Sequence, residues 1–83
     1  MIEYTIHIDM KQIPSLSGIM PSLICIGKIK TELNKVLVWH INESIMPIET
    51  AVEYLKRIVP EKSILEVKRI RWVKPVAKQQ NTK

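Results

Sequence analysis

Apolar and polar side chains alternate without a break from Ile2 to Met10, with Ile2, Tyr4, Ile6, Ile8 and Met10 in one set and Glu3, Thr5, His7 and Asp9 in the other. A period of two is that of a strand, so this segment predicts a β-strand with one buried and one wet face. The alternation is lost over residues 11–22, where Pro14, Gly18 and Pro21 stand among Ser15, Ser17 and Ser22. Leu16, Ile19 and Met20 keep the spacing of one helical turn, so a short helix or an ordered loop is expected there. Residues 23–30 and 35–42 are β-prone runs separated by the polar Thr31-Glu32-Leu33-Asn34, a pattern that predicts an antiparallel hairpin. Gly27, inside the first run, suits a bulge or a close backbone approach. Gly27-Lys28 does not complete a phosphate loop, because Ser22 holds the place of the first glycine and Ile29 that of the magnesium-binding Ser/Thr.

Over residues 47–59 the period changes. Ile48, Ala51, Val52, Leu55, Ile58 and Val59 recur at the spacing of one helix face. Pro47 suits the first helical turn, Glu49 and Glu53 favour the N-terminal half, Lys56 and Arg57 the C-terminal half, and Pro60 stops the helix. Residues 63–73 return to β-prone composition, and the chain closes on a polar, basic stretch. The element order is therefore β, short helix or loop, β, β, α, β. This is an α+β pattern: one small domain over residues 1–75, with an antiparallel sheet of about four strands, one main amphipathic helix and a flexible tail at 76–83. With a degenerate first helix it is the βαββαβ order of the ferredoxin-like fold, which hosts many unrelated functions.

Composition narrows the class. The chain has 83 residues, 46% of them apolar and 25% charged, which suits a single globular core and not a disordered chain. The single cysteine, Cys25, cannot form an internal disulfide and sits in an apolar run, so a buried thiol is expected. No basic segment followed by an apolar run opens the chain, and the apolar stretch at 19–29 contains Pro21 and falls short of a membrane span. A soluble cytoplasmic protein without membrane association is the expectation.

Charge is distributed unevenly. Up to Pro60, six Lys/Arg balance six Asp/Glu, and the net +5 arises in the remainder. Its densest part, Lys68-Arg69-Ile70-Arg71-Trp72-Val73-Lys74, interleaves cations with an aromatic. Cations meet phosphates and an indole stacks on a base, so Lys68, Arg69, Arg71, Trp72 and Lys74, assisted by Lys78 and Lys83, form a candidate nucleic-acid surface, for DNA or RNA, with little base readout. The competing reading packs Ile70 and Trp72 into the core and leaves the charges to protect a sheet edge.

A second candidate surface follows from the central strands. If Leu37, Trp39 and Ile41 point inward, Val36, Val38 and His40 share the open face with Thr5, His7 and Asp9. Such a face, with Val36, Val38, His40 and His7 at its centre, would suit a protein partner or a homodimer. The opposite orientation would expose Trp39, as in RNA-recognition modules, which the chain resembles in element order alone. The aromatic octamer of that family is replaced here by Lys35-Val36-Leu37-Val38-Trp39-His40-Ile41-Asn42. His7, Asp9, His40 and Glu43 are a third candidate, for a metal or for catalysis; they lack ligand spacing and would bring the histidines together only diagonally, so no enzyme activity, cofactor or metal is expected. The reading is a non-enzymatic binding module for nucleic acid. Its alternative is a protein-interaction module, either a homodimer or a small inhibitor or adaptor of the kind mobile elements encode.

Overall fold

A computed structural model describes residues 2–71. The elements in order are strand β1 (Ile2–Asp9), helix α1 (Leu16–Ile26), strands β2 (Lys28–Glu32) and β3 (Val36–Asn42), helix α2 (Ile48–Ile58) and strand β4 (Ile64–Arg71). Single 3₁₀ turns at Met10–Gln12 and Glu61–Ser63 join β1 to α1 and α2 to β4. The strands form one antiparallel sheet in the order β2-β3-β1-β4. β1 and β3 are thus central, and β2 and β4 are the edges.

The alternation seen in β1 sets the layers. Tyr4, Ile6 and Ile8 stand opposite Ile41, Trp39 and Leu37 of β3, and all six are fully buried beneath the helices. Leu23 of α1 and Ala51 and Leu55 of α2 complete this core with Val59. Two polar groups of the sheet reach into the helical layer. The Trp39 Nε1–H donates to the Leu23 carbonyl at 2.9 Å, and the Tyr4 hydroxyl donates to the Met46 carbonyl at 2.6 Å, just ahead of α2. Burial, with the carboxylates of Glu43 and Glu49 nearby, pushes the Tyr4 phenol up to about 12.

The first helix is not degenerate. Residues Leu23–Ile26, expected to open a strand, are the last part of an 11-residue α1, and β2 begins only at Lys28. Core contact decides this: Leu23 is fully buried and its carbonyl receives both the indole and the Gly27 N–H. Gly27 makes the switch from helix to strand possible, since a Cβ there would stand 2.3 Å from the His40 carbonyl oxygen. The close-approach reading of this glycine therefore holds. The hairpin loop is correspondingly later than expected, at residues 33–35, and closes with Lys35 in the left-handed region at φ 57°.

Two side chains lie elsewhere than expected. Cys25 is exposed, because α1 turns Leu23 to the core and leaves Cys25 on its outer side. Ile70 pairs with Glu3, so it belongs to the sheet face away from the helices and not to the core. Trp39, by contrast, is inward and fully buried, which removes the arrangement with an aromatic on the sheet surface. The expectations for Trp72, Lys74, Lys78, Lys83 and the tail at 76–83 fall outside the described residues. Among the described residues, no helix is long and apolar enough to cross a membrane.

Candidate functional site

The face of the sheet opposite the helices is open, and the strand register builds its chemistry. Lys28 of β2 pairs with His40 of β3, His40 with Thr5 of β1, and Thr5 with Lys68 of β4. Directly paired residues in an antiparallel sheet share a face, so these four form one row across it. Three inter-strand spacings make the row about 14 Å long. The next row runs Lys30, Val38, His7, Glu66. The open face therefore carries Lys28 and Lys30 at one edge, Lys68 at the other, and a centre of Thr5, Val38 and two imidazoles. Val38 and Thr5 are buried, at 8% and 6% exposure, while the half-buried Val36, opposite Asp9, and Ile70, opposite Glu3, add apolar surface at two margins of the same face.

Within the face the polar groups are linked. His40 Nε2 lies 2.7 Å from Glu3 Oε1, and Thr5 Oγ1 lies 3.2 Å from His7 Nε2. Asp9 is engaged locally, accepting the Lys11 N–H at 3.0 Å. Among the described residues, no carboxylate pairs with Lys28, Lys30 or Lys68. Glu32 and Glu66 also belong to this face, the first at the far end of β2 and the second beside Lys68.

The basic run of the sequence is divided by its own strand. Lys68 is on the open face, whereas Arg69 pairs in register with the buried Tyr4 and so lies on the helical side. There its guanidinium meets Glu43 Oε2 at 3.2 Å. Any phosphate recruiting Arg69 competes with that carboxylate. Arg71 pairs with Ile2 at the end of β4.

His7, Asp9, His40 and Glu43 are not brought to one point. His7 and His40 do occupy diagonal positions, since His40 stands opposite Thr5 and His7 opposite Val38, but Asp9 and Glu43 are engaged elsewhere. No group of three His, Cys, Asp or Glu among the described residues is placed to hold a metal ion. Ile24 and Cys25 of α1 and Gly27 of the α1–β2 connection, with Glu3, His40 and Ile45, line a half-open cavity of about 400 Å³.

Sequence reasoning missed Lys28 and Lys30 as members of the same face as Lys68. Their positions follow from the β2–β3 register, which the misplaced hairpin loop concealed. Compared with known proteins, the chain matches no family model, no curated protein and no solved structure.

Proposed function

We propose that this chain is a binding module for nucleic acid, and that the open sheet face is the platform on which the sugar-phosphate backbone lies. One observation carries the reading: a cross-strand row, Lys28-His40-Thr5-Lys68, brings lysines from both sheet edges onto a face that no helix among the described residues covers. Lys30 adds a third ammonium beside Lys28. Phosphate contacts of this kind position a strand without reading its bases, in keeping with the lack of an amide or guanidinium array on either helix. The lysines and carboxylates spread across the face support this occupant over a homodimer seated there, because the core of a protein–protein interface is depleted in charge.

Fluorescence anisotropy of labelled single- and double-stranded DNA and RNA tests the reading, at two salt concentrations, with Lys28→Glu/Lys30→Glu and Arg69→Glu/Arg71→Glu variants. Affinity should fall by about one power of salt concentration per phosphate neutralised and should be lost in the lysine double variant. A smaller loss in the arginine variant would measure what the helical side of β4 contributes. Absence of binding, or binding indifferent to both salt and the lysine variant, would overturn the proposal.

A further inference from the structure

β4 is an edge strand: of its eight residues all but the bulged Leu65 pair with β1, and among the described residues nothing pairs with its other side. Every second residue therefore turns its N–H and C=O outward, a template for another strand. Exposed edges are commonly protected by charges of one sign, and this one carries both signs in a particular order. Glu66, Val67 and Lys68 are consecutive and exposed, and Val67 and Leu65 are apolar yet 38% and 52% exposed.

We infer that β4 pairs antiparallel with β4 of a second copy about a two-fold axis at Val67, joining two sheets into one of eight strands. Symmetry and charge select this register. Outward backbone groups alternate, so two identical edges hydrogen-bond only when residues of the same parity oppose each other. With the axis at Val67, Glu66 opposes the second copy's Lys68 and Lys68 opposes its Glu66, so both pairs are of opposite sign. The two pairs lie on the open face, while Val67 meets its own copy on the helical side, where part of its surface is now in water. Leu65 comes opposite the stem of the second copy's Arg69. Moving the axis one residue either way sets Glu66 against Glu66 or Lys68 against Lys68, which is repulsive. An axis at Arg69 opposes two guanidinium groups, and one at Leu65 forms no ion pair.

The other edge does not offer the same match. β2 has five residues, and its charge-matched register without a like pair, centred on Thr31, overlaps only Lys30, Thr31 and Glu32 within the strand. The β-bulge of β4 falls at Leu65, near the start of the strand, so the segment around Val67 remains regular.

Sedimentation equilibrium of the full chain over a range of concentrations, with Glu66→Lys, Lys68→Glu and the exchanged double variant E66K/K68E, tests the inference. Wild type should approach twice the 9.7 kDa chain mass. Each single variant turns two opposite-charge pairs into two like-charge pairs and should raise the dimer dissociation constant about tenfold or more. The double variant restores opposite charges with the signs exchanged and should recover the wild-type constant. Circular dichroism of each variant identifies a failure to fold, and the wild type and the double variant decide the matter even if a single variant is lost that way. A monomer at all concentrations, a dimer unmoved by the single variants, or a double variant as weak as they are would each overturn it. Sedimentation reads self-association without nucleic acid, so its outcome is separate from that of the nucleic-acid reading, although Lys68 takes part in both.

Discussion

The two helices have the same length and almost opposite sequences. α2 carries charge on one side and Ala51 and Leu55 on the other, with Glu49 in its first turn and Lys56 and Arg57 in its last. α1 has no charged residue, contains Gly18 and Pro21, and buries only Leu23 completely. α2 is a helix by local preference and becomes useful through packing, whereas α1 is made a helix by what the sheet asks of it. Each is fastened to the sheet by one side-chain donor, Trp39 for α1 and Tyr4 for the approach to α2. The difference teaches that a segment of poor helix-forming sequence can hold its shape through tertiary contacts: the buried Leu23, the half-buried Leu16, Ile19, Met20 and Ile26 packed beside it, and one buried hydrogen bond.

The sharpest way to break this comparison is to remove the buried leucine from each helix. Leu23→Ala and Leu55→Ala should each cost about 2–5 kcal/mol by urea unfolding, because both side chains are fully buried. If Leu23→Ala cost less than about 1 kcal/mol, within the range of a surface substitution, the core contact could not be what holds α1.

Pro21 gives the second test. It occupies the interior of α1, where it withholds an N–H and crowds the Ser17 carbonyl, and its side chain is exposed. Pro21→Ala should therefore stabilise the protein by about 1–3 kcal/mol in the same measurement. No comparable gain is open to α2, whose proline is already ahead of its first residue at position 47. A destabilised variant would mean that the proline ring fixes how α1 enters the core.

The helix that was legible and the one that was half-hidden differ in where their information resides. α2 could be read from spacing alone, since Ile48, Ala51, Val52, Leu55 and Ile58 repeat at helical intervals between Pro47 and Pro60. The β1 alternation was equally readable, whereas the orientation of β3 was not: Val36 and Val38 are as apolar as Leu37 and Ile41, and only the structure turns Leu37, Trp39 and Ile41 inward. Residues 23–26 were not, because Leu-Ile-Cys-Ile is as apolar as a buried strand and only the contact of Leu23 with Trp39 distinguishes the two. The same misreading hid the make-up of the open face. A loop at 31–34 would set Lys30 opposite Lys35 and Lys28 opposite Leu37, turning both lysines towards the core side. The turn at 33–35 sets them opposite Val38 and His40, an odd shift that moves every β2 side chain to the other face.

The two anchors can be compared through pH. Tyr4 ionises at about 12 in the folded protein and at 10.0 without its surroundings, since burial opposes the phenolate and Glu43 and Glu49 add to that. Below pH 10 both states hold the proton and the effect is constant. Between pH 10 and 12 the unfolded chain loses the proton first, so stability falls, by about 2 kcal/mol across that window. Tyr4→Phe should remove this part of the alkaline loss while costing about 1 kcal/mol at neutral pH through the unmade bond to Met46. Trp39, whose indole has no acidic step in this range, should give the α1 anchor no such dependence. Urea titrations of both proteins at pH 8 and pH 12 provide the check, and equal alkaline losses would remove Tyr4 as their source.

The smallest effect distinguishes the helices most directly by local preference. Gly18 is exposed within α1, and a Cβ there would stand 3.1 Å from the Ser15 hydroxyl. That hydroxyl makes no capping bond to the helix, so it can rotate away without losing a partner there. Gly18→Ala should then gain about 0.5–1 kcal/mol, the difference in backbone freedom between the two residues. Thr50→Ala, at the equivalent exposed third position of α2, replaces a better helix former than glycine and should gain less, by thermal unfolding of the two variants side by side. If the two gains were equal, α1 would owe no more to its tertiary contacts than α2 does. A clearly larger gain at Gly18 would place the weakness of α1 in its sequence and its persistence in the contacts of Leu23.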